Sequence, residues 1–329
     1  MAGSSIVVSH RKDADGLTSA ALIRFMTGAD VVLTDYSDMV ETLASVSTAK
    51  NYYICDLGSN QNTFQSFLKQ LRRLSARGAV HYIDHHPILE DYAKSLRDSG
   101  VDVTHSVDEC SAVLIYKKYQ DMLSVSHHMK ILACCGAITD YMDTRPFARS
   151  LISSFDRQFL MYEATVLSFT ISEIGRGSSE GNSKLVELAK SLAGGLMPHE
   201  IEGAYEFSRI HAESSEQLID LAKTKGKRMR NFAYYLTEES ATGNVANFLI
   251  GAFDVQVGMA MKEEEPGFYE ISLRSTEDSN HDLGKIIGRI AVYLNASGGG
   301  HPHASGARIR QEQLQKFLEL LDEELSRPA

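Results

Sequence analysis

The stretch Ala79-Val80-His81-Tyr82-Ile83-Asp84-His85-His86-Pro87 decides how this chain is read. A short, mainly apolar run suited to a buried strand leads straight into a carboxylate and two imidazoles, and Pro87 prevents the strand from continuing. Such a strand presents three metal-ligand groups at the carboxyl edge of a sheet, where open α/β sheets bind their ligands. Reading outward, other apolar runs end the same way. Ile6-Val7-Val8-Ser9 leads to Asp13 and Asp15, Tyr52-Tyr53-Ile54-Cys55 leads to Asp56, and a later segment carries Asp140.

The intervening segments have helical character. Ala20, Ala21, Ile23 and Phe25 give residues 16–27 an apolar surface, with Gly28 as the stop. Phe64, Phe67, Leu68, Leu71 and Leu74 recur at helical spacing before Gly78, and helices are expected over 111–122 and 127–138. Val31–Thr34 and Val101–Thr104 add strands. Strands alternating with helices predict an α/β fold with a parallel sheet covered on both faces. Right-handed crossovers then bring every strand's carboxyl end to one edge, which gathers the scattered acids.

Residues 150–201 read as helical, interrupted by a polar loop from Gly175 to Asn182. A second αβ unit follows, with strands at Phe232–Leu236, Ala252–Met261 and Gly267–Leu273, and an acidic turn at Lys262–Gly267. A helix over His281–Leu294, the glycine run Gly298-Gly299-Gly300, a strand near Ala307–Ile309 and a final amphipathic helix complete it. The expected domains are therefore 1–165, a helical linker region at 166–225, and 226–329.

A length of 329 residues favours two domains over one core. The net charge of −10 supplies no general basic field, which excludes a protein that grips long duplex DNA by neutralising phosphates. Short nucleotides remain compatible. Cys55, Cys110, Cys134 and Cys135 lie in apolar surroundings without a CxxC pair, as expected of buried reduced thiols in a cytoplasmic protein. Neither a signal peptide nor an apolar run of membrane-spanning length is present, so no membrane partner is expected.

Taken singly, each acid has an ordinary reading. Asp15 suits the N-cap of the helix that follows it, and Asp56 suits a turn before Leu57-Gly58. Their coincidence at one sheet edge is what points to metal. Carboxylates with imidazoles suit Mn²⁺ or a similar divalent ion and do not resemble a thiolate zinc site. So many ligands exceed the needs of one ion, and a pair about 3.5–4 Å apart would activate water for in-line attack on phosphorus.

The segments His10–Gly16, Asp56, Asp84-His85-His86 and Gly136–Asp140 resemble the four motifs of the DHH phosphoesterases. That family includes RecJ exonucleases, nanoRNases and oligoribonucleases, cyclic-di-AMP phosphodiesterases and family II pyrophosphatases. The resemblance implies a DHH catalytic domain in which Asp13, Asp15, Asp56, His85 and Asp140 ligate two Mn²⁺ ions, with Mg²⁺ or Co²⁺ as substitutes. It implies an acid or orienting role for His86, with Asp84 holding a histidine ring. His10 precedes Asp13 by three residues where many members have four, which leaves its ligation open, and Asp143 competes with Asp140 in the fourth motif.

Gly298-Gly299-Gly300-His301-Pro302-His303 resembles the GGGH motif of the DHHA1 domain, which accompanies the nanoRNase and RecJ branches. The resemblance implies that Gly299, Gly300, His301 and His303, with Arg274 and Ser275 at a strand end, hold a terminal phosphate. The expected function is Mn²⁺-dependent hydrolysis of short oligonucleotides or of linear or cyclic dinucleotides to mononucleotides. The alternatives are a phosphatase acting on 3′-phosphoadenosine 5′-phosphate, polyphosphate or pyrophosphate, and a non-catalytic nucleotide-binding module. A homodimer formed through an exposed domain edge is compatible with the sequence.

Overall fold

The structure, a computed structural model, describes residues 4–59, 62–175, 179–238 and 241–327. It divides into two compact units, Met1–Arg209 and Ile210–Ala329.

The first unit alternates strands and helices: β1 (Ser5–His10), α1 (Ala14–Thr27), β2 (Asp30–Thr34), α2 (Met39–Ser45), β3 (Asn51–Cys55), α3 (Phe64–Ser75), β4 (Ala79–Asp84), α4 (Glu90–Arg97) and β5 (Val101–His105). The sheet order is β2-β1-β3-β4-β5, and every pairing is parallel. The chain first steps from β1 to β2 and then returns to the other side of β1 at β3. The carboxyl ends of β1 and β3 thus form the topological switch point, where doubly wound sheets open a crevice. Seven more helices follow among the described residues, of which the first six are α5 (Ser111–Lys118), α6 (Gln120–Leu123), α7 (His127–Thr139), α8 (Pro146–Ile152), α9 (Arg157–Gly175) and α10 (Ser179–Ala193).

Alternating strand residues feed two cores. Val7, Tyr53, Cys55 and Ile83 pack with α1, α5, α7, α9 and α10 on one face. Ile6, Val8, Tyr52, Ile54, Tyr82 and Val101 pack with α2 and α3 on the other. The helices at 157–193 therefore belong to the first unit's core, and the division between units falls at 209/210 rather than near 165 and 225. Of the polar loop expected at 175–182, Gly175 ends α9 and Ser179 opens α10, while residues 176–178 lie outside the described residues. The helix expected over 111–122 is split into α5 and α6 at Tyr119. All four cysteines are buried and free. No described helix is long and apolar enough to cross a membrane.

The seventh helix, α11 (Ala204–Lys225), runs across the boundary into the second unit. That unit contains β6 (Lys227–Arg228), β7 (Ala233–Leu236), α12 (Thr242–Phe253), β8 (Val257–Glu265), β9 (Phe268–Ser275), α13 (Leu283–Tyr293), β10 (Ser297–Gly300), β11 (Ala304–Arg310) and α14 (Leu314–Ser326). Its mixed sheet has the order β10-β11-β9-β8-β7-β6. One face packs on α13 and α14, the other on α11 and α12.

Two sequence expectations fail here. Ala252 and Phe253 end a helix, because Val245, Ala246 and Leu249 bury an apolar stripe that continues to a left-handed cap at Asp254. Lys262 to Glu265 extend β8 through a bulge, so the turn shrinks to Pro266 and Gly267.

Candidate metal centre

The first turn of α1 is built against the end of β1. Asp13 is the N-cap: its Oδ1 accepts the Gly16 N–H at 2.9 Å. Asp15 therefore does not cap α1. A Cβ on Gly16 would lie 2.3 Å from the carbonyl oxygen of His10, so only glycine lets this turn fold back onto the strand. Asp15 is buried and spends both oxygens on α5, accepting the N–H groups of Ser111 and Ala112 at 2.8 Å each. An anion at the positive end of a helix is well placed.

These turns gather six side chains. His10 Nδ1 lies 2.7 Å from Asp13 Oδ2 and 3.8 Å from Asp56 Oδ2. His85 Nε2 lies 3.4 Å from Asp56 Oδ1, 3.4 Å from Asp140 Oδ2 and 3.9 Å from Asp15 Oδ2. Asp56 thus turns one oxygen toward His10 and the other toward His85. His10, Asp13 and Asp56 form one group with metal-ligand spacing, and Asp15, His85 and Asp140 form another. A third, Asp56 with His85 and His86, overlaps both. His10 joins the cluster despite its displaced position in the sequence. Asp140 is the fourth-motif acid found in these groups; Asp143 is in none of them among the described residues.

Asp84 stands behind this set. Fully buried, it accepts the Tyr82 hydroxyl at 2.9 Å and the His86 backbone N–H at 3.2 Å, and its Oδ1 lies 2.9 Å from His86 Nδ1. Tyr36 Oη meets the opposite ring nitrogen, His86 Nε2, at 2.9 Å. His86 is therefore held at both ends. Gly58 leaves room for it, since a Cβ there would fall 2.7 Å from His86 Cβ.

The crowded carboxylates set the electrostatics. Burial alone would lower the His85 pKa, but Asp56, Asp140 and Asp15 outweigh it and raise it to about 11. Against the same burial, Asp13 raises His10 to about 10, and Asp84 raises His86 to about 9. Burial, with Asp56 beside it, pushes Asp15 up to about 7. This much negative charge in so small a volume demands cations, either protons on the imidazoles or metal ions. Nitrogen and oxygen donors without sulfur fit Mn²⁺ or Mg²⁺.

In the second unit, sheet pairing sets the candidate phosphate-binding residues side by side. Arg274 pairs with Ala304, and Gly299 and Gly300 pair with Gly306 and Ser305. The glycine run is thus an edge strand. A Cβ on Gly284, in the first turn of α13, would come 2.2 Å from the Gly300 carbonyl oxygen, so helix and strand meet backbone to backbone. Ser275 Oγ lies 2.9 Å from His303 Nδ1, and the Ser275 N–H donates to the His303 carbonyl at 3.1 Å. His301 donates its N–H to the Ala304 carbonyl at 2.8 Å.

Residues 230–327 match the family profile of the DHHA1 domain. No curated protein matches the chain. Among solved structures, the chain shares the fold of a DHH-domain protein described as a member of a family of ribosomal proteins, at 17% identity and a TM-score of 0.74, covering 99% of this chain and 87% of that one. It also resembles RecJ from Thermus thermophilus in complex with Mn²⁺, at 16% identity and a TM-score of 0.65. This chain is covered fully there but spans about half of that RecJ, 53%. A pGpG-specific phosphodiesterase from Vibrio cholerae matches at 15% identity and a TM-score of 0.57, over 97% of this chain and 98% of that one. The chain thus shares its fold with these structures, and its residues 230–327 are similar to DHHA1 domains.

Within residues 230–327, Arg274, Ser275 and His303 occupy one end of the sheet, and the triple glycine lies beside β11 along its edge. Sequence reasoning overlooked Tyr36, Asp35 and Ser111 in the first unit. Asp35 Oδ1 lies 3.3 Å from His10 Nε2, and Ser111 donates its hydroxyl to Asp56 Oδ1 at 3.2 Å. The available signal was Thr34-Asp35-Tyr36, an acid following yet another apolar run.

Proposed function

We propose that this protein is a two-metal phosphodiesterase that hydrolyses short oligonucleotides or linear or cyclic dinucleotides to mononucleotides, with Mn²⁺ as its metal. The observation that carries this reading is Asp56, whose two oxygens face two separate groups of imidazole and carboxylate donors. His10 and Asp13 would hold one ion, Asp15, His85 and Asp140 the other, and Asp56 would serve both. When bound, such a pair supplies water activation and neutralises charge on the reacting phosphate. The fold likeness to RecJ, in complex with Mn²⁺ or with Mg²⁺, and to a pGpG-specific phosphodiesterase supports a divalent metal acting on a phosphodiester bond.

The chain's own residues account for the remaining work. His86, fixed between Asp84 and Tyr36 and protonated near neutral pH, carries a proton for the leaving oxygen. Asp84 keeps that ring in place and stabilises its charged form. In the DHHA1 domain, Arg274, Ser275, Gly299, Gly300, His301 and His303 would bind the terminal phosphate of a short substrate, with the guanidinium suited to two parallel hydrogen bonds.

The test is a Mn²⁺-supplemented assay on pApA, a five-residue RNA, a long single strand, cyclic di-AMP, 3′-phosphoadenosine 5′-phosphate and pyrophosphate. Stepwise release of mononucleotide from the short strands supports the proposal. Turnover confined to pyrophosphate or to 3′-phosphoadenosine 5′-phosphate, or none with metal bound, refutes it.

A further inference from the structure

Helix α7 ends in an unusual way beside Asp140. The Tyr141 N–H donates to the Ile138 carbonyl at 3.3 Å, and the Met142 N–H donates to the Ala137 carbonyl at 2.8 Å. This is a Schellman motif, whose turning residue sits in the left-handed region and is usually glycine. Here that residue is Tyr141, with φ 57°. Four non-glycine residues among those described have positive φ, and the other three are Asp56, Asp254 and Asn295. Asp and Asn tolerate the left-handed region; a bulky aromatic residue does not.

Packing does not explain the choice, because Tyr141 is 75% exposed. The strained backbone holds an aromatic ring in solvent one residue from Asp140, whose Oδ2 lies 3.4 Å from His85. Consecutive Cα atoms are about 3.8 Å apart. The Cα that carries the ring is thus fixed one residue from the cluster, and strained positions of this kind persist where the surroundings enforce them. An exposed aromatic face beside a phosphate-handling centre has one ready chemical use, stacking on a base.

We propose that Tyr141 is a nucleobase subsite: its ring stacks on the base adjoining the phosphate held at the metal centre. The proposal rests on the phosphodiesterase reading and adds a base requirement to it. Any base can stack on the ring, so the subsite selects for the presence of a base and not for its identity.

Tyr141→Gly separates this role from a structural one, because glycine suits the turn better than tyrosine does. The variant is expected to melt at or above the wild-type temperature while its KM for pApA rises on the order of tenfold, with kcat little changed. Tyr141→Phe should keep the wild-type KM. A dinucleotide backbone lacking bases should be cleaved equally by wild type and Tyr141→Gly. An unchanged KM for pApA, or a lowered melting temperature that marks the ring as a packing element, would overturn the proposal. Equilibrium binding of AMP and of ribose 5-phosphate with Mn²⁺ present needs no turnover and reads the ring even if phosphodiester cleavage fails. AMP should bind more tightly than ribose 5-phosphate in wild type and lose that advantage in Tyr141→Gly; equal affinities in wild type refute the subsite.

Discussion

The two units present their candidate residues by different means. In the first, side chains far apart in sequence hold one another: Asp15 binds the amides of Ser111 and Ala112, and Asp56 lies between His10 and His85. In the second, the backbone ladder aligns Arg274 with Ala304 and Gly299 with Gly306 before any side chain is considered. The first arrangement concentrates opposed charges in a buried volume, where removing one group leaves its neighbours uncompensated. The second spreads polar groups along a partly exposed sheet end, where water can replace a lost partner. The metal centre should therefore be brittle and the DHHA1 site tolerant.

Four measurements can break or sharpen that contrast. The largest effect is expected at Asp56. Asp56→Ala should reduce kcat by about 10³-fold or more, roughly 4 kcal/mol of transition-state stabilisation, with the circular dichroism spectrum preserved. Wild-type rates in this variant would dismiss the metal reading. Next comes Asp84→Asn, which keeps the size of the side chain but removes the charge that fixes His86. It should lose about 10- to 100-fold in activity, as outer partners of metal sites do.

Third is the dependence of metal binding on pH. His85 and His10, held protonated up to about 11 and about 10 by their acidic neighbours, must release protons when metal binds. Mn²⁺ affinity should therefore weaken as pH falls, by up to about tenfold per unit for each proton displaced. Calorimetry in buffers of differing ionisation enthalpy should register proton release; none would contradict the assignment of these imidazoles. The smallest effect is expected at Arg274. Arg274→Ala should raise KM about tenfold and leave kcat nearly intact. A collapse of kcat there would show that the DHHA1 site is as brittle as the metal centre.

Much of the first unit was legible because its strands are short and continuously apolar, and each is followed by the residue that carries its chemistry. The segments around Ile83 and Cys55 needed only a period and a stop signal. Tyr36 was not legible, because its contact with His86 spans 50 positions and depends on β2 lying beside β1. The N-cap was open because sequence alone does not show which of two nearby acids turns toward the amides; Asp13 does, which leaves Asp15 free of that ordinary reading. That the triple glycine forms a strand was not legible, because nothing local reveals that β11 pairs with it and α13 presses directly on it. Helix α12 was read in part as strand because its last residues, Gly251-Ala252-Phe253, run into the apolar start of β8.

The bond between Asp15 and the first turn of α5 also bears on how the protein is made. Residues of the cluster span His10 to Asp140, and Asp15 meets its amide donors 96 and 97 positions later. A chain emerging from the ribosome exposes His10, Asp13 and Asp15 long before their counterparts exist. Domains form as units during synthesis, at about 5–20 residues per second. The cluster consequently closes only when Asp140 has left the exit tunnel, many seconds after His10, so a truncated product ending before α7 has all five strands of the sheet and an incomplete cluster.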